Sequence, residues 1–236
     1  MTEAELYSVY KGVYVPKLLH PPECLKYYEE FNFREDDILI AAYPKSGTTW
    51  MKEIVPLIQS EGDLTPVQTI PNWDRVPWLE ENRASILNLE ERPSPRIFAT
   101  HFHYNMMPES FFKVKPKVLC VLRNPKDVFV SSFYYYGMAS FLVNPGTVDE
   151  FMEKFINGKE LIEKISDHCV FKNMKQNQMS NYSLVPAEFL DQNKSEFLRK
   201  GISGDWRNTL TTAQSDHFDS VYEEKMKDVK FPFLWA

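Results

Sequence analysis

The sequence predicts an α/β protein, a three-layer α/β/α sandwich around a central parallel sheet, and three observations carry that prediction. Short runs of strand character, Ile38–Ala42, Arg96–His101 and Lys117–Leu122, alternate with segments whose apolar residues recur at helical spacing. The run Lys117–Leu122 (KVLCVL) is almost continuously apolar, as in a strand buried on both faces. The run at Ile38–Ala42 breaks at Tyr43-Pro44 and resumes as a helical pattern through Thr49, Trp50, Met51, Ile54 and Val55, which is the order strand, loop, helix.

Taken in order, residues 1–36 carry Pro16, Pro21 and Pro22 and read as an extended lead-in with one helical turn. The proline-punctuated stretch Gly62–Pro77 reads as a surface loop. A helix is expected to start near Asp127 and carry Val128, Val130 and Ser131. Residues 147–168 space Phe151, Phe155, Leu161, Ile162 and Ile165 as one or two helices. From Cys169 to Ser195 the chain turns polar and irregular, the pattern of a long functional loop, and Trp206–Lys227 is again helical in pattern. Residues 1–236 are read as a single domain, long enough for a substantial core.

Composition excludes several classes. A net charge of −6 argues against a nucleic-acid-tracking surface, so any anionic ligand must be held by local cations. Every apolar run is too short for a membrane span, and MTEAELYSVYKG lacks the apolar core of a secretory signal. Cys24, Cys120 and Cys169 have no metal-ligand spacing and are odd in number, which fits free thiols in a reducing cytoplasm. No metal site is expected.

The segment Asp36–Glu53 (DDILIAAYPKSGTTWMKE) holds the clearest chemistry. The first turn of a helix exposes N–H groups without intrahelical partners and carries partial positive charge, so it receives phosphate or sulfate. Gly47 lets the backbone approach an anion, Lys45 brings a full charge, and Ser46, Thr48 and Thr49 bring hydroxyls. An ordinary strand-to-helix turn capped by Ser and Thr has the same composition. The order also differs from the GxxxxGK[ST] loop of nucleotide kinases, because the lysine precedes the glycine. Lys45, His101 and Arg123 all fall at the carboxyl ends of predicted strands, where ligands bind in parallel sheets.

YPKSGTTW, LRNPKDVFVSSFYYY and FLRKGISGDW together resemble the cytosolic sulfotransferases, over nearly the whole chain. The resemblance implies transfer of a sulfuryl group from 3′-phosphoadenosine 5′-phosphosulfate (PAPS) to a hydroxyl or amine of a small acceptor, a phenol, steroid, alcohol or amine, leaving 3′-phosphoadenosine 5′-phosphate (PAP). It implies His101 as general base and Lys45 at the leaving phosphate. Lys45, Ser46, Gly47, Thr48 and Thr49 would hold the 5′-phosphosulfate, and Trp50 and Phe171 the adenine. Arg123, Ser131, Arg199, Lys200 and Gly201 would hold the 3′-phosphate.

An imidazole can accept a proton near neutral pH, which suits His101; His103 is its rival, and a satisfied structural histidine is the plain alternative. Trp50 could equally pack the core. Trp73, Trp78, Phe133, Tyr135, Tyr182 and Phe189 are candidates for the acceptor pocket and could equally be core.

The chain departs from the family pattern in three places. Ala99 stands where members often carry a lysine two residues before the histidine. Cys169 stands where a hydroxyl residue is common. Between Lys159 and Glu160 a block is missing that in members holds a sheet strand and flanking helices; its loss would expose apolar neighbours and unpaired backbone. The family's dimer segment survives as Arg207, Thr211-Thr212 and Asp216, so a homodimer is expected through Arg207–Asp216. A form that binds PAPS or PAP without turnover is the alternative to an active enzyme. A kinase is the more distant one, since no acidic metal ligand follows a strand.

Overall fold

The computed structural model describes residues 3–156, 178, 181–197 and 199–227. A four-residue helix, α1 (Glu3–Leu6), leads into an antiparallel hairpin of β1 (Tyr7–Tyr10) and β2 (Val13–Pro16). Lys11 and Gly12 turn it with φ of 48° and 82°, the left-handed pair that a two-residue hairpin loop needs. Pro22 opens α2 (Pro22–Glu30), where the missing N–H costs nothing. Tyr10 donates to Glu29 at 2.8 Å and Lys11 pairs with the same carboxylate at 3.1 Å, tying the hairpin to α2. This stretch is therefore more regular than its prolines suggest, because they fall at a strand end and a helix start rather than inside an element.

The central sheet has β3 (Ile38–Ala42) in the middle, with β4 (Ile97–Thr100) and β5 (Lys117–Val121) parallel on either side. The chain enters at the centre, goes to one side and then crosses to the other, which makes the carboxyl end of β3 a topological switch point. Neighbouring residues face opposite layers. Ile40 and Ala99 enter the core formed with Val55 of α3 (Thr48–Gln59), Phe129 of α7 (Pro125–Met138), Phe151 of α8 (Val148–Ile156) and Phe218 of α9 (Thr212–Met226). Leu39 and Phe98 enter the other, with Tyr28, Phe31, Leu89 and Met107, against which Phe111 of α6 (Glu109–Val114) packs. The sheet thus lies between helical layers, as predicted.

Two sequence expectations are corrected. Gly62–Pro77 folds as α4 (Thr65–Thr69) and α5 (Asn72–Arg75), with Val67, Asn72 and Val76 buried; prolines at the helix starts, not inside them, explain the misreading. β5 is not covered on both faces. Val118, Leu119 and Leu122 are 46%, 37% and 53% exposed and Cys120 is exposed, because among the described residues no strand lies beyond it.

Candidate functional site

The loop after β3 turns through Lys45 at φ 64° and Gly47 at φ 108° before α3 begins at Thr48. At Gly47 the angle itself argues for glycine, since a side chain is rarely tolerated there. Thr48 and Thr49 are buried, and their hydroxyls have no hydrogen-bond partner among the described residues. Two buried hydroxyls left without partners carry a desolvation cost that an anion seated on the helix start would relieve. Arg123, beyond β5, donates from Nη1 to the Lys45 carbonyl at 2.8 Å and fixes the loop from the neighbouring strand end. The Lys45 ammonium lies 4.3 Å from the Tyr135 ring centroid and 5.1 Å from that of Phe197. Trp50 is 49% exposed, which rules out the core role and leaves its indole accessible.

His101 follows β4 directly and is buried. Its Nδ1 lies 2.6 Å from the carbonyl oxygen of Ala42, the last residue of β3. A carbonyl only accepts, so Nδ1 carries the hydrogen, and the neutral ring keeps its lone pair on Nε2. The backbone at the switch point thus selects the tautomer in which Nε2 is the base. Glu80 Oε1 accepts the His101 backbone N–H at 2.8 Å, and the Trp78 ring packs against the imidazole, tilted, with centroids 4.2 Å apart. Trp78 is placed there by a short bridge: Ala99 N–H donates to the Pro77 carbonyl and Leu79 N–H to the Ala99 carbonyl, both at 2.9 Å. His103, the rival, is exposed at the surface.

The sequence candidates divide in space. Trp78 touches His101, and Tyr135 faces Lys45. Trp73 packs on Tyr182 at 4.9 Å, and Tyr182 donates to Asn72 Oδ1 at 3.3 Å and packs against Phe197, tilted, at 4.1 Å, so this group connects to Tyr135 through Phe197. Phe133 packs among Tyr134 and Phe151 and is partly buried against the core. Phe189 is 37% exposed beside the Ala139–Leu190 bridge. Phe171, Cys169 and the junction at Lys159 lie outside the described residues. Glu80, the buried carboxylate under His101, and Lys52, whose ammonium lies 4.5 Å over the Trp78 ring, were not read from the sequence. The acidic pair Glu80-Glu81 directly after an apolar Trp-Leu was the available signal for the first.

Arg199 and Lys200 both reach Asp205, at 2.6 and 2.9 Å, and Arg199 lies over Tyr134, one helical turn from Ser131 on α7. Asp127, in the first turn of α7, accepts from Ser203 Oγ at 3.1 Å and from the Gly204 N–H at 2.8 Å, docking the 199–206 loop on that helix. The loop that carries Arg199, Lys200 and Gly201 is thus docked on α7, the helix that follows Arg123 and carries Ser131. Burial pushes the Asp205 carboxyl up, but hydrogen bonds from Asn208, Lys200 and Arg199 outweigh it and bring its pKa from 3.8 to about 2. A lowered folded-state pKa contributes stability above the unfolded value and loses it as pH falls through the folded one. About 2 kcal/mol should thus disappear between pH 3.8 and about 2. Asp205→Asn should flatten that part of the acid-unfolding curve, read by far-ultraviolet circular dichroism.

Residues 35–169 and 158–230 match the family model described as the sulfotransferase domain. The chain belongs to the sulfotransferase family. Mouse (Mus musculus) sulfotransferase 2B1 is 40% identical over 280 aligned positions, covering 96% of this chain and 82% of the relative. Human sulfotransferase 2A1 is 34% identical over 272, covering 93% and 95%. Among solved structures, mouse sulfotransferase SULT7A1 complexed with PAP superposes with a TM-score of 0.67 at 24% identity, over 95% of this chain and 96% of that one. Retinol dehydratase in complex with androsterone and inactive cofactor PAP gives 0.75 at 18%, over 98% and 96%. At those identities the shared property is the fold. The two family matches overlap at 158–169, and the alignment with mouse 2B1 is longer than the 236 residues of this sulfotransferase, so the relative carries positions without a counterpart here.

No helix among the described residues is long and apolar enough to cross a membrane, and none of their His, Cys, Asp and Glu residues cluster as a metal site.

Proposed function

We propose that this sulfotransferase moves a sulfuryl group from PAPS to the hydroxyl or amine of a small aromatic or apolar acceptor, with His101 as general base. The observation that carries the reading is the His101–Ala42 hydrogen bond, which ties Nδ1 to a carbonyl three residues before Lys45 and leaves Nε2 as the basic nitrogen. The donor set fits PAPS: two unpartnered threonine hydroxyls at a helix start, a left-handed glycine and a lysine for the 5′ end, and Arg123, Ser131, Arg199, Lys200 and Gly201 for a second phosphate. Bound there, PAPS would supply the activated sulfuryl group and a phosphate leaving group. His101 Nε2 takes the proton of the acceptor's hydroxyl, while Glu80 holds the His101 backbone and Trp78 packs against its ring. Lys45 supplies positive charge beside the loop, where negative charge grows during transfer. Trp78 and Tyr135 form the acceptor side, with Trp73, Tyr182 and Phe189 further out. Residues Arg207–Asp216 would carry a homodimer contact, and a reducing cytoplasm suits the free thiols of Cys24 and Cys120.

A second reading is a form that binds PAPS or PAP without turning over. It is favoured by the exposed β5 and by the aligned positions that only the relative fills. Calorimetric titration with PAP, using 5′-AMP as the control lacking the 3′-phosphate, tests the common part. PAP should bind at least tenfold tighter; equal affinities in a folded chain would remove both readings. Sulfation of an acceptor panel then separates them.

A further inference from the structure

The 199–206 loop carries two cations that converge on one carboxylate. Arg199 Nη1 lies 2.6 Å from Asp205 Oδ2, and Lys200 Nζ lies 2.9 Å from Oδ1. The Asp205 side chain is 2% exposed and those of Arg199 and Lys200 are 22% and 47% exposed, so the anion is the inner member of the cluster and the cations are the outer ones. Asp205 is itself held firmly. Its Oδ1 also accepts from Asn208 Nδ2 at 2.8 Å, and Asp127 accepts the flanking N–H groups of Gly204 and Trp206 at 2.8 and 3.4 Å. Asp127 lies in the first turn of α7, one turn before Ser131, and the Tyr134 ring of the same helix lies 4.7 Å from the Arg199 guanidinium. A continuous set of contacts thus runs from α7 through Asp205 to both cations.

Like charges on adjacent residues repel, and both side chains are long and rich in rotamers. A fixed carboxylate between them offsets both effects without exhausting them as donors. A guanidinium has five N–H groups and an ammonium three, so one ion pair each leaves N–H groups for a ligand.

We propose that Asp205 is a positioning residue for the second phosphate site, holding Arg199 and Lys200 in their binding arrangement before the ligand arrives and while it is bound. This inference rests on the PAPS reading above, in which those two cations take the 3′-phosphate. The charge of Asp205 works against an incoming anion, and its anchoring works in favour. The anchoring prevails: the repulsion is weakened by the two cations paired with the carboxylate and by the water around half-exposed Lys200. Losing the anchor frees two side chains that the ligand must order again.

The test titrates PAP and 5′-AMP into wild type, Asp205→Asn and Asp205→Ala at neutral pH by calorimetry, with circular dichroism to verify folding. The preference for PAP over 5′-AMP should fall by roughly tenfold in both variants, with 5′-AMP affinity itself within about twofold of wild type. In turnover, KM for PAPS should rise by a similar factor while kcat stays within about twofold, a split that a general loss of structure would not produce. An unchanged preference, or an equal loss for both ligands, makes Asp205 a structural residue. A preference that rises makes it a competitor for the cations, and each of these results overturns the proposal. Should the variants not fold, a crystal structure of the unmutated protein with PAP supplies the readout. Both ion pairs to Asp205 are expected to persist there, with phosphate oxygens on the remaining N–H groups of Arg199 and Lys200. A phosphate that has displaced the carboxylate from either cation overturns the proposal. A wild type that binds PAP and 5′-AMP equally removes the PAPS reading, and this inference with it. A wild type that prefers PAP, with a preference that the variants do not lower, leaves that reading in place and removes only the role of Asp205.

Discussion

Replacement of His101 by alanine is expected to lower turnover by roughly two to four orders of magnitude while leaving PAP affinity within about twofold. The separation follows from geometry. His101 is tied to the end of β3 through the Ala42 carbonyl, a backbone group that stays in place when the imidazole is removed. The loop keeps its own support from Arg123. Single-turnover sulfation and PAP titration on the same preparation check both halves. Wild-type turnover in the variant would assign the base elsewhere, and a parallel loss of PAP binding would make His101 a structural residue.

The second large effect lies at the opposite end of the sheet. Asp37, just before β3, and Arg96, just before β4, are buried and joined twice, Nε to Oδ1 at 2.9 Å and Nη2 to Oδ2 at 2.6 Å. Arg96 also donates to the Leu89 and Asn32 carbonyls and lies between the faces of Phe31 and Phe98, while Asp37 accepts the Arg34 N–H. Every polar atom of the pair is thus engaged within an aromatic shell, and removing one partner strands the other charge. Arg96→Ala is expected to cost about 3–5 kcal/mol, a large share of the ~5–15 kcal/mol that holds a domain together. Urea unfolding of Arg96→Ala, Asp37→Leu and the double variant Arg96→Met with Asp37→Leu measures this. The double variant should lose less than the two single losses added; strict additivity would mean that the two side chains do not act as a pair.

The strands and the anion loop were legible because their signals are local. Ile38–Ala42 followed by PKSG fixes the strand, the turn and the helix start within a few residues, and the structure places their ends within one residue of the reading. The N-terminal hairpin and α4 and α5 were not legible, since prolines at element ends and prolines in loops have the same composition. The burial of β5 was misread for a different reason. Its apolar run describes what the strand is fitted to, whereas among the described residues no strand lies beyond it. At the site, His101, Lys45 and Arg123 could be placed from strand ends alone. Glu80, which holds the His101 backbone N–H, could not, because it reaches the site from 21 residues away in sequence and only the bridge at Trp78 brings it there.

The open side of β5 governs how the molecule behaves in company. Among the described residues no strand lies beyond β5, and an edge strand with exposed apolar side chains is a template for an extended chain, another nascent copy included. Lys117 and Arg123 bracket the run, and their like charges resist stacking of identical edges, the arrangement expected of gatekeepers around an exposed hydrophobic strand. Salt, which screens these two charges, is therefore expected to favour association through this edge, an effect separate from the strength of the interior that the Asp37–Arg96 pair secures.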